Sequence, residues 1–127
     1  MFWVFNTHLD HIGELARLKS VQLIHQMIAT KNKKNYPVVI MGDLNAEPGS
    51  NPVKFLNEKY LNSKKEAILV YNDTGTFNGF DFFKPVTAEI DYIFFSKHKI
   101  AVKKYAVLTD SYSCKYPSDH FPVMVEF

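Results

Sequence analysis

The chain has 127 residues, enough for one domain with a hydrophobic core and too few for two ordinary domains. Hydrophobic residues make up 46% and charged residues 22%, which excludes wholesale disorder. A formal net charge of +2 neither requires nor excludes an anionic partner. The single cysteine, Cys114, excludes an internal disulfide, and no apolar run reaches the ~18–20 residues that cross a bilayer.

Hydrophobic patterning predicts the order β-α-β-α followed by several strands. Aromatic and β-branched residues predict a strand at 2–7, and apolar residues at helical spacing predict a helix over 10–30. A continuous apolar run predicts a buried strand at 38–41, and a short helix is predicted over 52–61. Further strands are predicted at 67–71, 74–83, 89–96, 100–108 and 121–127. This order is typical of an α/β layered sheet with helices on one face.

Four short polar clusters lie at the ends of predicted strands. Residues 6–11 and 42–48 follow the first two strands, whereas residues 89–92 and 118–120 precede later ones. If those later strands run antiparallel to the first two, all four clusters meet at one rim of the sheet. Ligand sites of open α/β sheets usually lie at such a rim.

The predicted rim carries acidic, imidazole and amide groups. Its candidate residues are His8, Asp43, Asn45, Asp91, Asp119 and His120. Carboxylate and amide oxygens suit a hard divalent cation such as Mg²⁺ or Mn²⁺. An imidazole beside a carboxylate gains proton affinity, and an aspartate near a water molecule can act as a general base. These groups are typical of phosphoester hydrolysis, in which positioning and charge neutralisation supply most of the rate.

Several of these residues also have a purely structural explanation. Gly, Asp and Asn at 42–45 are common turn residues, and His8 could be a hydrogen-bonded core histidine. Asp91 is harder to explain, since a carboxylate between apolar strand residues is seldom found without a partner. Tyr112 and Tyr116, in the loop before the last polar cluster, could contact substrate or simply pack.

Three other polar residues are interpreted structurally. Asp10 is expected to cap the helix that follows it, and His25 and His98 are expected at the surface.

Residues 7–11 also partly match the His-x-His-x-Asp-His signature of binuclear zinc hydrolases. Asn6 stands where that signature needs a histidine, and zinc sites require more His or Cys donors than are suitably placed here.

Five motifs resemble, in the correct order, those of the endonuclease/exonuclease/phosphatase superfamily. They are NTHLD at 6–10, GDLN at 42–45, TF at 76–77, IDYIF at 90–94 and SDHFPV at 118–123. The superfamily includes AP endonucleases, deoxyribonuclease-I-like nucleases, sphingomyelinases, inositol phosphatases and deadenylases. Its fold, a four-layer α/β sandwich of two sheets with outer helices, is the fold that the resemblance implies.

The resemblance also implies a role for each motif residue. Asp43 is expected to orient or deprotonate the attacking water, and Asn45 to donate a hydrogen bond to the phosphoryl group. His8 is expected to contact a phosphate oxygen. His120 is expected to be the second catalytic histidine, held and charged by Asp91.

The implied metal site is incomplete. Asp119, Asp43 and Asn45 are expected to contribute to a Mg²⁺ (or Mn²⁺) site, but family members are about twice this length and carry a metal-binding glutamate in their first half. Residues 1–127 are therefore expected to form a single partial domain, the C-terminal half of the sandwich. Such a half would expose a large apolar surface, so it is expected to form a homodimer or to pair with the missing N-terminal half.

The expected partner is a phosphorylated substrate: nucleic acid, a phospholipid headgroup or a sugar phosphate. The alternative is a catalytically incomplete half-domain that acts only in assembly or interaction. The cellular compartment is not indicated by the sequence.

Overall fold

The computed structural model describes residues 1–97 and 100–127, so His98 lies outside the described residues. In chain order the elements are β1 (Trp3–His8), α1 (Glu14–Lys31), β2 (Val38–Asp43), α2 (Asn51–Lys59), β3 (Tyr60–Asn62), α3 (Ser63–Glu66), β4 (Leu69–Tyr71), β5 (Asp91–Ser96), β6 (Lys104–Val107) and β7 (Val123–Glu126). The predicted α/β class is confirmed.

The first sheet brings three polar residues into register. Its strand order is β1-β2-β5-β3, with β1 parallel to β2 and β5 antiparallel to β2. His8 at the end of β1 pairs with Asp43 at the end of β2, and Asp43 pairs with Asp91 at the start of β5. Because β5 runs in the opposite direction, the start of β5 lies at the same rim as the ends of β1 and β2.

The remaining strands form a second sheet, in the order β4-β6-β7, rather than extending the first. The two sheets face each other across a core in which Val39 and Phe95 of the first pack near Val102 and Val125 on the side of the second. Strand β7 contributes alternate residues to this core: Val125 faces it, whereas Met124 is exposed on the other side of the strand. The pattern identifies a half-buried strand but does not specify which sheet the strand joins.

The helices cover the opposite face of the first sheet. Val21 of α1 and Val53 and Leu56 of α2 are fully buried against residues of β2 and β5, including Val38, Ile40 and Phe94. The predicted mixed sheet with helices on its outer face is therefore confirmed. No helix in the described ranges is both long and apolar enough to cross a membrane.

Two helix boundaries differ from the prediction. Helix α1 begins at Glu14 with Gly13 as its N-cap, and the Asp10 carboxylate instead accepts hydrogen bonds from the backbone N–H groups of Ile12 and Gly13 at 3.2 and 2.8 Å. Asp10 therefore stabilises the turn before the helix rather than capping it. Helix α2 ends at Lys59, because the chain continues into β3, which pairs with β5.

Two further predictions were wrong. Residues 74–83 do not form a strand: Gly79 and Phe80 adopt left-handed φ values of 58° and 61°, and Phe77 forms only an isolated bridge with His120. His25 is half-buried rather than at the surface, and its Nδ1 lies 2.9 Å from the Tyr60 hydroxyl. Glycine-associated turns and a non-local tyrosine partner explain these differences.

The face of β1 that looks toward the second sheet is left uncovered. Val39 of β2 is 5% exposed beneath that sheet, whereas its register partner Val4 on β1 is 48% exposed. Phe2 and, at the end of the chain, Phe127 are also more than half exposed. The second sheet is too narrow to cover the whole inner face of the first.

Candidate active site

The rim of the first sheet positions three of the candidate side chains without help from any loop. His8, Asp43 and Asp91 occupy adjacent positions on three neighbouring strands. Gly42 allows the backbones of β1 and β2 to approach closely at this rim. Its φ is +130°, and a Cβ at this position would lie 1.9 Å from the carbonyl oxygen of Thr7. The strands therefore bring the polar side chains to one place.

Asp43 is the centre of the cluster. Its Oδ2 atom lies 3.3 Å from Nε2 of His8 and 3.9 Å from Nε2 of His120. Its Oδ1 atom accepts the backbone N–H of Asn45 at 2.7 Å. The Asp43 side chain is only 14% exposed, while that of His8 is 74% exposed, so the carboxylate lies beneath an accessible imidazole.

His120 reaches this rim from the segment that precedes β7. Its Nδ1–H group donates to Oδ2 of Asp91 at 2.9 Å. The ring also packs edge-on against Phe77, with 5.0 Å between centroids. Fixing Nδ1 on the Asp91 carboxylate turns Nε2 toward Asp43, which leaves that nitrogen on the side of the other site residues.

The electrostatic surroundings raise the proton affinity of His120. Partial burial of the ring works toward a lower pKa. The hydrogen bond to Asp91 and the negative charges of Asp91, Asp43 and Asp119 outweigh that effect, so the pKa of His120 lies above its usual value of 6.5. His120 is therefore a candidate general acid or cationic hydrogen-bond donor near neutral pH.

Asn45 stabilises the loop after β2. Its φ of 47° lies in the left-handed region, which asparagine tolerates better than most residues. Its side-chain Nδ2 donates to the carbonyl oxygen of Leu9 at 2.9 Å, which connects this loop to the one after β1. This contact uses one of the two amide hydrogens, so the group has capacity for a second hydrogen bond.

Three candidate residues lie at the edge of the site or outside its cluster. The Asp119 carboxylate lies outside the group formed by Asp43, Asp91 and His120, with its Oδ1 3.5 Å from the Ser118 hydroxyl. Tyr112 is 70% exposed and lines a cavity of about 230 Å³ that His120 also borders. Tyr116 packs its ring against Phe121 at 4.9 Å and against Phe82, so packing accounts for its position.

Sequence reasoning assigned no role to two residues that border His120. Phe77 contacts the ring, and the Ser118 hydroxyl accepts the backbone N–H of His120 at 3.2 Å. Ser118 and His120 line a cavity of about 360 Å³, together with Asn6 and Asp91. The TF and SDH motifs contained both residues, but a motif alone does not reveal which side chain faces the site.

A divalent cation fits the central cluster chemically. Within residues 1–97 and 100–127, ligand atoms of Asp43, Asp91 and His120 lie within 4.8 Å of one another. Mg²⁺ in proteins is commonly held by one or two carboxylates and completes its octahedron with water and substrate phosphate oxygens. The carboxylates of Asp43 and Asp91, which are 14% and 20% exposed, meet that requirement, and Asp91 also lines the cavity of about 360 Å³.

Comparison with known proteins identifies the family. Residues 5–120 match the Endonuclease/Exonuclease/phosphatase family, and the chain belongs to it. This confirms the family resemblance that the sequence motifs carry.

Individual relatives are consistent with that assignment. Human nocturnin is 27% identical over 142 residues, covering 99% of this chain and 33% of nocturnin. A conserved protein of unknown function from Enterococcus faecalis V583 is 39% identical, with a TM-score of 0.86, over 97% of this chain and 48% of its own. The mannosyl-6-phosphatase of Bacteroides thetaiotaomicron is 37% identical, with a TM-score of 0.89, over 97% of this chain and 49% of its own. The chain spans about half the length of these solved structures.

The environment of His120 predicts a titration that NMR can follow in metal-free protein. The imidazole should titrate above pH 6.5, and Asp91→Asn should lower its pKa because the charged acceptor is removed. The raised folded-state pKa means that protonation stabilises the fold below pH 6.5, and this contribution is lost as pH rises through the folded pKa. Glu58→Gln, at an exposed position of α2, serves as the control. A pKa at or below 6.5 that Asp91→Asn leaves unchanged would contradict the assignment.

Proposed function

We propose that this chain carries the catalytic side chains of a metal-dependent phosphoester hydrolase. The observation that carries the proposal is the convergence of His8, Asp43, Asp91 and His120, from four separate segments, on one accessible rim. Family membership supports the same reaction class. The set offers acid, base and cationic groups but no serine or cysteine nucleophile, which favours direct attack by water.

Each side chain has a role suited to its surroundings. Asp43 orients the attacking water and accepts its proton. Protonated His120, held through Nδ1 by Asp91, donates from Nε2 to a phosphoryl oxygen as charge develops there. His8, exposed above Asp43, contacts a second phosphate oxygen, and the remaining amide hydrogen of Asn45 donates to the phosphoryl group.

The proposed cofactor is Mg²⁺, with Mn²⁺ as the alternative. Asp43 and Asp91 are the carboxylates that would hold it, and the roles of Asp119 and Asn45 as further ligands stay predictions. When bound, the ion supplies Lewis-acid stabilisation of the phosphoryl oxygens. The side chains described above bind and orient the phosphate and move the protons.

The proposed substrate is a sugar phosphate monoester. The 37% identity to a mannosyl-6-phosphatase supports this class over nucleic acid or a phospholipid headgroup. The charge of this chain is consistent with a small substrate, since a net charge of +2 with one arginine provides little of the positive field used for a nucleic-acid backbone.

The proposed activity can be tested with mannose 6-phosphate, a phosphodiester and an oligonucleotide, each with Mg²⁺ or Mn²⁺. We expect phosphate release from the sugar phosphate, lost with EDTA and reduced roughly 10²–10⁴-fold by Asp43→Asn or His120→Ala. Glu58→Gln should retain full activity. Because the chain spans half of its solved relatives, the assay is repeated after co-folding with the part of the Enterococcus faecalis protein that it does not cover.

The outcomes separate the two candidate functions. Turnover by the chain alone or in the co-folded complex, sensitive to Asp43→Asn, supports the enzyme. No turnover on any substrate in either form would instead favour a catalytically incomplete half-domain that acts in assembly.

We also propose that the uncovered face of β1 is an assembly surface. Phe2, Val4 and Phe127 expose 56%, 48% and 52% of their areas on the side where the second sheet does not reach. A covering segment about as large as this chain would match the length of its solved relatives, so the proposed occupant is the remaining half of the sandwich. Asn6 of this same strand lines the site cavity, so the covering segment would also border the site.

Gel filtration at low micromolar concentration, with an apolar-surface dye, tests this assembly surface. We expect either dye binding by the isolated chain or a dimer in which the face is buried, and loss of dye binding when the complementary half is added. Val4→Glu should prevent that association, whereas Lys54→Glu, at an exposed position of α2, should not. A monomer that binds no dye and no complementary half would contradict the proposal.

A further inference from the structure

Thr76 connects the two segments that carry Asp91 and His120. It is fully buried, in the irregular stretch between β4 and β5, and it therefore cannot contact substrate. The two segments belong to different parts of the fold, because Asp91 begins a strand of the first sheet and His120 precedes a strand of the second. The catalytic pair thus spans two sheets, and Thr76 lies between them.

The Thr76 hydroxyl fixes the start of β5. Its Oγ1 accepts the backbone N–H groups of Ile90 and Asp91, both at 3.1 Å. The neighbouring strand β3 pairs with β5 only from Phe94 to Ser96, so it does not extend to this end of the strand. A hydroxyl oxygen has two lone pairs and can satisfy both donors at once.

The backbone of Thr76 fixes the other segment. Its carbonyl oxygen accepts the N–H of Phe121 at 2.7 Å, directly after His120. The next residue, Phe77, forms an antiparallel bridge with His120 and contacts its ring. One residue therefore holds Asp91 through its side chain and the His120 segment through its main chain.

We propose that Thr76 is a positioning residue for the reaction, one whose hydroxyl sets the 2.9 Å contact between Asp91 and His120. This inference rests on the proposed function, since it assigns Thr76 to the same site. Without the hydroxyl, the backbone at residues 90–91 loses its acceptor, and Asp91 is free to move relative to the imidazole.

Two substitutions separate the hydroxyl from the shape of the side chain. Thr76→Val keeps the branched shape and removes the acceptor, whereas Thr76→Ser keeps the acceptor and removes a methyl group. We expect Thr76→Val to lower kcat at least tenfold with little change in KM, and Thr76→Ser to keep kcat within about twofold of wild type. The amides of Ile90 and Asp91 should exchange with deuterium faster in Thr76→Val only.

Thr74→Val is the matched control. The Thr74 hydroxyl lies in the same stretch and donates to the carbonyl oxygen of Val86 at 2.8 Å, away from both site segments. This variant loses one hydrogen bond from the same region, so general loosening of the loop would affect both valine variants. We expect its kcat to stay at the wild-type value.

Each result decides the proposal. Wild-type kcat in Thr76→Val, or a loss of kcat in Thr76→Ser equal to that in Thr76→Val, would overturn the positioning role. If Thr76→Val does not fold, the serine variant decides: retained kcat with slow exchange at Ile90 and Asp91 supports the proposal, and reduced kcat overturns it. Absence of turnover from the unsubstituted protein in every form would overturn the proposed function, and this inference with it.

Discussion

The hydrogen bond between Asp91 and His120 joins the two sheets at the point where the candidate site lies. The antiparallel pairing of β2 and β5 fixes Asp91. His120 lies in the segment that leads into β7. Because Asp91 begins a strand of the first sheet and His120 lies just before a strand of the second, their 2.9 Å contact depends on how the sheets face each other. The inner core around Val39 and Phe95 is therefore a requirement of the site as well as of stability.

This contact organises the charges around Asp43. An imidazole held through Nδ1 presents Nε2 toward Oδ2 of Asp43, and Nε2 of His8 lies 3.3 Å from the same oxygen. Two imidazoles and two carboxylates then share a small region. Under the proposed function, the carboxylates face the divalent cation and the imidazoles face the phosphate oxygens.

The strand-end residues could be predicted from sequence because their signal is local. Asp43 and Asp91 are carboxylates at the ends of apolar strands, where a charge needs a partner. The same strand-end clusters contained His8 and His120, and the family motifs added the roles expected of them. Other features depended on non-local partners: the separate sheet that contains β7, the packing of Tyr116 on Phe121, and the contact of His25 with Tyr60. Thr76 shows the limit most clearly, since nothing local predicts that its hydroxyl faces residues 90–91.

We propose that the carboxylates of Asp43 and Asp91, with His120 beside them, form one cation-binding site at the sheet rim. Titration of Mn²⁺ into ¹⁵N-labelled protein tests it directly, because the paramagnetic ion broadens resonances of nearby residues. The account predicts that signals around residues 43, 91 and 120 broaden first, and that Asp43→Asn with Asp91→Asn removes the effect. Broadening centred elsewhere, or unchanged by the double substitution, would contradict it.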